Sequence, residues 1–223
     1  MNLRWLPWLL QTSDAQFPTG AYAHSLGLEE IVRLNVVRDE ATLVDFLKNH
    51  TLPMLGQFDL PKLRIAWEAA QNEDLPALIQ QDHELAAWKV CRELREASCT
   101  MGERRLRAVR QINPTPFLDT CAERLPWKHH LIILGIQLQN APLEAALYTH
   151  CHQTISGFCS AALKLIRIGQ EGCQRTLHSA MAQADVIVEK SLSVEESEIG
   201  WFNPLVDIAS MHHEQANERL FIS

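Results

Sequence analysis

Residues 142–167 read PLEAALYTHCHQTISGFCSAALKLIR, and their pattern decides the fold class. Apolar residues recur every three or four positions along this stretch, which is the spacing of one face of an α-helix. Pro142 stands where a first helical turn would begin, a position at which the missing N–H of proline costs little. The stretch therefore predicts a central core helix, whose apolar face consists of Leu143, Ala146, Leu147, Cys151, Ile155, Phe158, Ala162, Leu163 and Ile166.

Helical spacing continues on both sides of this stretch, and the two-residue alternation of strands is nearly absent. The sequence predicts an all-α fold, a single compact helical domain over residues 1–223 with roughly nine to eleven helices. Asp39 is a predicted N-cap, and Pro53 is expected to kink or end the helix that follows it. Helix starts are also predicted at Pro61, Pro76 and Asn203-Pro204. A capping box is predicted at Ser193 and Glu196. Long helices are predicted over residues 23–35, 84–111 and 170–190.

Composition limits the classes of partner. The 223 residues carry a formal net charge of -7, which disfavours binding to a nucleic-acid backbone. The apolar stretch before Gln11 is interrupted by Pro7, is too short for a membrane span and lacks the features of a signal peptide, so we expect a cytoplasmic chain without a membrane partner. The six cysteines form no C-x-x-C pair and are interpreted as buried thiols.

No catalytic motif is found. The sequence has no G-x-S-x-G elbow, no phosphate-binding Gly loop and no cysteine at a predicted helix start, so a non-catalytic role is predicted. The doublets His129-His130 and His212-His213 invite a metal interpretation, but adjacent residues on a helix point about 100° apart. Polar or capping roles and a transient site for a soft divalent metal both remain open, and no residue is assigned as a metal ligand.

Both chain ends are unusually apolar, with Trp5 and Trp8 at one end and Trp201, Phe202 and Phe221 at the other. Chain ends are normally exposed and mobile. We therefore expect the segments 1–20 and 200–223 either to fold back on the core or to become ordered when a partner binds.

Five blocks of sequence, the last two at the C-terminus, resemble those of a known family. Residues 9–29 read LLQTSDAQFPTGAYAHSLGLE, and REAS at 95–98 precedes Gly102. LIRIGQ at 165–170 precedes Gln174, and the C-terminal blocks are DIASMHHE at 207–214 and RLFIS at 219–223. Together these blocks, in this order, resemble the urease accessory protein UreF family over the whole chain.

The resemblance implies an all-α fold that forms a homodimer and acts as a non-catalytic chaperone in urease maturation. In that family the chain bridges the GTPase UreG and the scaffold protein UreD/UreH, which docks on apo-urease, for GTP-dependent assembly of the nickel centre. Nickel and GTP would be handled by these partner proteins, so no cofactor is expected here. The alternative that remains open is a nickel-binding carrier that uses His and Cys side chains.

The resemblance also implies site residues. The UreG-facing surface would comprise Pro18, Gly20, Tyr22, His24 and Glu29. The scaffold-binding surface would comprise Pro204, Asp207, Met211, His213, Glu214, Arg219 and Leu220. Where the family often carries aromatic residues in its central helix, this chain reads YTHCH at 148–152, and Tyr148 and His152 are the candidates for the dimer interface.

Overall fold

Helices make up all the secondary structure of residues 3–223, the part of the chain that the computed structural model describes. Two 3₁₀ turns cover Ala21–Ala23 and Glu196–Glu198. The predicted all-α fold is confirmed, and no strand occurs within the described residues. The α-helices are α1 (Leu6–Ser13), α2 (Leu28–Arg33), α3 (Glu40–Phe46), α4 (Leu52–Met54), α5 (Leu60–Gln71), α6 (Leu75–Trp88), α7 (Arg92–Ile112), α8 (Pro116–Arg124), α9 (His130–Leu138), α10 (Leu143–Leu165), α11 (Gln170–Met181), α12 (Ala184–Leu192) and α13 (Pro204–Glu214).

Segments α3, α4 and α5 join into one uninterrupted helical rod over residues 40–71. Two π-helical turns, Leu47–Thr51 and Leu55–Asp59, flank the Pro53 segment. Pro53 therefore does not end the helix, because a π turn closes i→i+5 hydrogen bonds and absorbs the change of register around a residue without an N–H. Pro61 likewise lies inside the rod. With the rod counted once, the α-helices of the described residues fall within the predicted nine to eleven.

The core is built around α9 and α10. Residues 131–138 of α9 are all buried, and α9 packs between α5 and α7. Gly135 allows the close approach of α5, since a Cβ at this position would lie 2.8 Å from the Cβ of Ala66. Helix α10 contacts α2, α5, α11 and α12, so the prediction that it is the central helix is confirmed.

Three predicted helix boundaries differ from the structure. The helix expected over 23–35 begins only at Leu28, since Leu26 and Gly27 adopt positive φ angles of 53° and 86°. The helix expected over 170–190 divides at residues 182–183 into α11 and α12. No capping box forms at Ser193, because its hydroxyl donates backwards to the carbonyl of Lys190 at 2.8 Å.

The long helix expected over 84–111 is two helices, α6 and α7, separated by residues 89–91. The Arg95 side chain donates to the carbonyl of Lys89 at 2.7 Å and so stabilises the break. Cys91 becomes the N-cap position of α7, which corrects the expectation that no cysteine stands at a helix start. Neither glycine nor proline marks this break in the sequence.

Helix starts predicted from capping residues are confirmed. Asp39 accepts a hydrogen bond from the Thr42 N–H at 2.9 Å, and Asp74, which precedes Pro76, accepts one from the Ala77 N–H at 3.0 Å. Asn203 caps α13 through the Val206 N–H at 3.4 Å. In each case the side-chain oxygen satisfies an N–H that the helix itself leaves unpaired.

Both terminal segments contact the core. Leu9 and Phe17 are buried near one end, and Phe221 is buried near the other. The indole N–H of Trp8 donates to the carbonyl of Gln137 at 3.3 Å. None of the helices over residues 3–223 combines the length and apolar character that crossing a membrane would require.

Candidate functional site

Four of the five predicted UreG-facing residues lie in the loop before α2, and Glu29 lies in α2 itself. The loop presents Pro18 and Tyr22 to solvent. Tyr22 is 74% exposed, which is unusual for an aromatic side chain. Gly20 has a φ of 77°, and a Cβ there would collide with the guanidinium of Arg104. Buried Phe17 anchors the loop, with the Arg105 guanidinium 5.3 Å from its ring centre. The loop is thus held rigidly while Tyr22 projects from it.

The last residues of the chain pair with this loop. The main-chain oxygen of Ser223 accepts hydrogen bonds from the N–H groups of Ser25 and Leu26, and the Ile222 N–H donates to the carbonyl of Ala23 at 2.8 Å. The ring of buried His24 lies 2.7 Å from the Ser223 hydroxyl through its Nδ1 atom. Burial, assisted by the positive charge of Arg104, lowers the pKa of His24, so its ring is neutral at pH 7.

A carboxylate–histidine cluster, consisting of Glu29, Glu93, His213 and Arg219, joins α2, α7 and the C-terminal segment around the buried ring of His213. The Nδ1 atom of His213 lies 2.9 Å from a Glu93 oxygen, and its Nε2 atom lies 3.0 Å from a Glu29 oxygen. Arg219 donates to Glu93 at 3.3 Å. Each ring nitrogen of His213 is therefore within hydrogen-bonding distance of a carboxylate, one on α7 and one on α2.

Glu29 also fixes the tail directly. Its two carboxylate oxygens accept hydrogen bonds from the backbone N–H groups of Leu220 and Phe221, at 2.9 and 3.0 Å. Burial alone would raise the pKa of Glu29, but the hydrogen bonds from Leu220, His213 and Phe221 outweigh it and hold the pKa below its usual value. Glu29 therefore stays ionised at neutral pH and keeps these donors in place.

The predicted scaffold-binding residues divide into buried and exposed groups. His213 is buried, Asp207 and Glu214 are half-buried, and Glu214 pairs with Arg92 at 2.6 Å. Burial raises the pKa of Asp207. The exposed group comprises Pro204, Met211, Arg219 and Leu220.

Three exposed apolar residues of the same segment lie outside the predicted scaffold-binding set. Phe202 is 70% exposed, Ile208 is 51% exposed and Ile222 is 60% exposed. Ile208 and Met211 stand three residues apart on α13, opposite buried Ala209, Ser210 and His213, so helical spacing alone could have assigned them to the outer face. Exposed apolar side chains concentrated in one segment are typical of a protein interface.

The predicted dimer residues lie on α10 near its neighbour α12. The Tyr148 hydroxyl donates to Asp185 at 2.6 Å, and this hydrogen bond, helped by burial, raises the pKa of Tyr148 to about 12. His152 is exposed on the same helix. Neither residue belongs to the carboxylate–histidine cluster.

The histidine doublets separate in space. His129 is buried against the Ser98 hydroxyl at 3.0 Å, and burial lowers its pKa to about 3. His130 faces the ring of His150 on α10, with the ring centres 6.3 Å apart. His212 is exposed, whereas His213 belongs to the cluster. Over residues 3–223, no group of three or more His, Cys, Asp or Glu side chains is arranged to hold a metal ion.

The six cysteines carry unactivated thiols. Burial raises the pKa of Cys99 to about 11 and of Cys121, Cys151 and Cys159 to about 12. It also raises the pKa of Cys91 and Cys173. A nucleophilic or metal-binding cysteine acts as the thiolate, so these groups are protonated and unreactive at neutral pH. Their interpretation as buried thiols is confirmed for all but Cys99, which is partly exposed.

Comparison with known proteins gives a consistent result. The profile of the UreF family matches residues 37–181. A curated relative, "Urease accessory protein UreF" from Bacillus sp. (strain TB-90), is 28% identical over 221 residues, which cover 96% of this chain and 97% of the relative. The matched region contains the rod, α7, the buried helix α9 and the central helix α10, and on this basis the chain belongs to the UreF family of urease accessory proteins.

Proposed function

We propose that this chain is a non-catalytic chaperone of urease maturation that acts in the cytoplasm by binding two proteins at once. The GTPase UreG binds the loop around Tyr22, and the scaffold protein UreD/UreH binds the segment 200–223 and docks the assembly on apo-urease. Nickel and GTP are handled by the partner proteins, and this chain needs no cofactor. It acts as a homodimer, with Tyr148 and His152 near the contact between the two copies.

The observation that carries this proposal is that the two predicted surfaces share one hydrogen-bonded cluster. Glu29 comes from the UreG-facing set, whereas His213, Arg219 and Leu220 come from the scaffold-binding set. The Glu29 carboxylate contacts both His213 and the backbone of Leu220. A partner that moves the C-terminal segment therefore changes the support of the UreG-facing loop, which is the property required of a protein that joins two binding events.

Both surfaces also have the chemistry of docking sites. Tyr22 is an exposed aromatic side chain on a rigid loop, and such side chains dominate the energy of many protein interfaces. Leu220 is 72% exposed and stands beside Arg219, so an apolar anchor adjoins a charged fork. An exposed leucine next to a backbone that is pinned by Glu29 loses little conformational freedom when a partner covers it.

Co-purification with both partners tests the proposal. The full chain should retain UreD/UreH and UreG on an affinity column. A chain that lacks residues 201–223 should not retain UreD/UreH, and the complex of all three proteins should not form. Circular dichroism of the truncated chain must show that the helical core is retained. Capture of neither partner by the full chain would overturn the proposed role.

A further inference from the structure

A chamber of about 810 Å³ lies between the N-terminal loop, the rod, α7, α10 and the C-terminal segment. Its volume is in the range of small-molecule binding sites. Exposed Tyr22 and Phe202 line it, so it reaches the surface of the protein. Its interior contains charged and polar side chains that the proposed chaperone role does not use, among them Arg105, His130 and His150.

Arg105 is the most unusual of these groups, since its side chain is charged and only 3% exposed. Its hydrogen bonds both come from Nη1, to the side-chain oxygen of Gln137 at 2.6 Å and to the carbonyl of Thr12 at 3.5 Å. Both acceptors are neutral. The Nε atom of Arg105 is buried without a hydrogen-bond partner. The two hydrogen bonds therefore use only the Nη1 atom of the guanidinium, and no negative charge among the described residues balances the positive charge of Arg105.

No carboxylate within residues 3–223 forms an ion pair with Arg105. Asp59 lines the same chamber, but its partners are the Nε2 atom of His150 at 3.4 Å and the positive charge of Lys89. Burial lowers the pKa of Arg105 to about 9, so the guanidinium still carries its charge at neutral pH. A buried charge without a counter-ion destabilises the fold unless something in the cavity compensates it.

Most of the unpaired polar atoms around the chamber are nitrogens, and Oε1 of Gln153 is the unpaired oxygen among them. The Nε1 atom of Trp201 and the Nε atom of Arg105 can only donate, and both are buried without a partner. The Nδ1 atoms of His130 and His150 are also unpaired. A small anion beside Arg105 would pair with its free Nε–H and balance its charge.

We propose that the chamber binds a small carboxylate or oxyanion from solution, with Arg105 as the counter-charge. The ligand is a free small molecule rather than a side chain of a partner, because Arg105 lies inside the chamber and not at its rim. This inference does not depend on the proposed chaperone function, since the isolated chain would bind the anion.

Thermal unfolding of the full chain at constant ionic strength tests the inference, with sodium acetate, sulfate and phosphate as probes. Binding to the folded state should give a saturable rise in Tm on the order of 2–5 °C. Comparison of acetate with sulfate and phosphate separates a carboxylate site from an oxyanion site. The rise should persist in the exposed control Arg107→Met and disappear in Arg105→Met, which keeps the volume of the side chain but not its charge.

A second measurement keeps the inference testable if Arg105→Met fails to fold. Burial, together with the charges of Arg105, His150 and Lys89, lowers the pKa of His130 well below its usual value. An anion beside Arg105 opposes these charges, so it should raise the pKa of His130 in histidine-labelled NMR spectra, with the signal identified from His130→Gln. Equal Tm responses in wild type and Arg105→Met, or an unchanged His130 signal at saturating concentrations of all three anions, would overturn the inference.

Discussion

His213 holds three parts of the fold together at the scale of a single side chain. One ring nitrogen faces Glu93 on α7 and the other faces Glu29 on α2, while the residue itself belongs to α13. The ring is 1% exposed, so water cannot replace either contact. Neighbouring His212 is 58% exposed on its side chain and makes only a long contact, 3.8 Å, with Glu30. His213 is therefore the position to test by substitution, and adjacent His212 is its matched control.

Replacement of His213 should destabilise the fold strongly. His213→Ala leaves the carboxylates of Glu29 and Glu93 without the ring that lies between them, so we expect the free energy of unfolding to fall by about 3 kcal/mol. His212→Ala should change it by less than about 0.5 kcal/mol, because the side chain is exposed. Urea denaturation of both variants measures the difference. Equal small effects would show that the carboxylate–histidine cluster contributes little to stability.

The pKa of Glu29 predicts a dependence on acid. Its folded-state pKa is lowered, so its contribution is complete above the unfolded-state value of roughly 4.3 and is lost as pH falls through the folded-state pKa. The difference in unfolding free energy between wild type and Glu29→Gln should therefore be largest near neutral pH and shrink below about pH 4. Denaturation curves from pH 7 to pH 3 measure it. A difference that is independent of pH would contradict this role for Glu29.

Tyr22 should matter for binding and not for stability. Tyr22→Ala removes a side chain that is 74% exposed, so the Tm should stay nearly constant while capture of UreG weakens. Tyr22→Phe keeps the ring and should retain most of the binding, and Gln16→Ala on the same loop is the exposed control. Calorimetry and co-purification provide the two readouts. Undiminished capture of UreG by Tyr22→Ala would exclude this loop as the anchor.

Sequence could predict some of these residues and not others. Asp39, Asp74 and Asn203 each accept a hydrogen bond from an N–H three residues later, so the local sequence pattern is sufficient to predict them as helix caps. Glu93 was missed, because its partner His213 is 120 residues distant and no local pattern brings the two together. Glu29 and His213 were named only through family resemblance.

At the scale of helices, the structure differs from the sequence prediction most clearly in two places. The rod continues past Pro53, and the helix predicted over residues 84–111 is interrupted. The rod passes through Pro53 because π turns on either side accommodate it. The stretch 84–111 divides at residues 89–91 because Arg95 and the packing of Trp88 against Phe58 hold the break, with their ring centres 5.7 Å apart. Periodicity predicts that a segment is helical, but packing decides where it ends.

Two glycines of long helices should respond in opposite ways to alanine. A Cβ at Gly102 would lie 2.9 Å from backbone atoms of His129 and His130, so Gly102→Ala should destabilise the packing of α7 on α9 by about 2 kcal/mol. Gly157 on α10 has no atom within 4 Å of such a Cβ, so Gly157→Ala should stabilise the helix by about 0.5 kcal/mol. Urea denaturation tests both signs. A neutral Gly102→Ala would contradict the close approach.

At the scale of the molecule, the C-terminal tail meets the loop that precedes α2. The tail pairs with the loop of residues 23–26, and the carboxylate–histidine cluster ties the tail to α2 and α7. The proposed UreG-facing and scaffold-binding surfaces are therefore parts of one structural unit, although more than 170 residues separate Tyr22 from Phe202 in the sequence. A change at Glu29 should affect both surfaces.

The most direct test of this coupling is co-purification of UreG and UreD/UreH with Glu29→Gln, beside wild type and the exposed control Glu218→Gln. The account predicts that Glu29→Gln folds but weakens capture of both partners, because an amide has a single acceptor oxygen and cannot accept from both the Leu220 and Phe221 N–H groups, whereas Glu218→Gln behaves as wild type. Undiminished capture of both partners by a folded Glu29→Gln would contradict it.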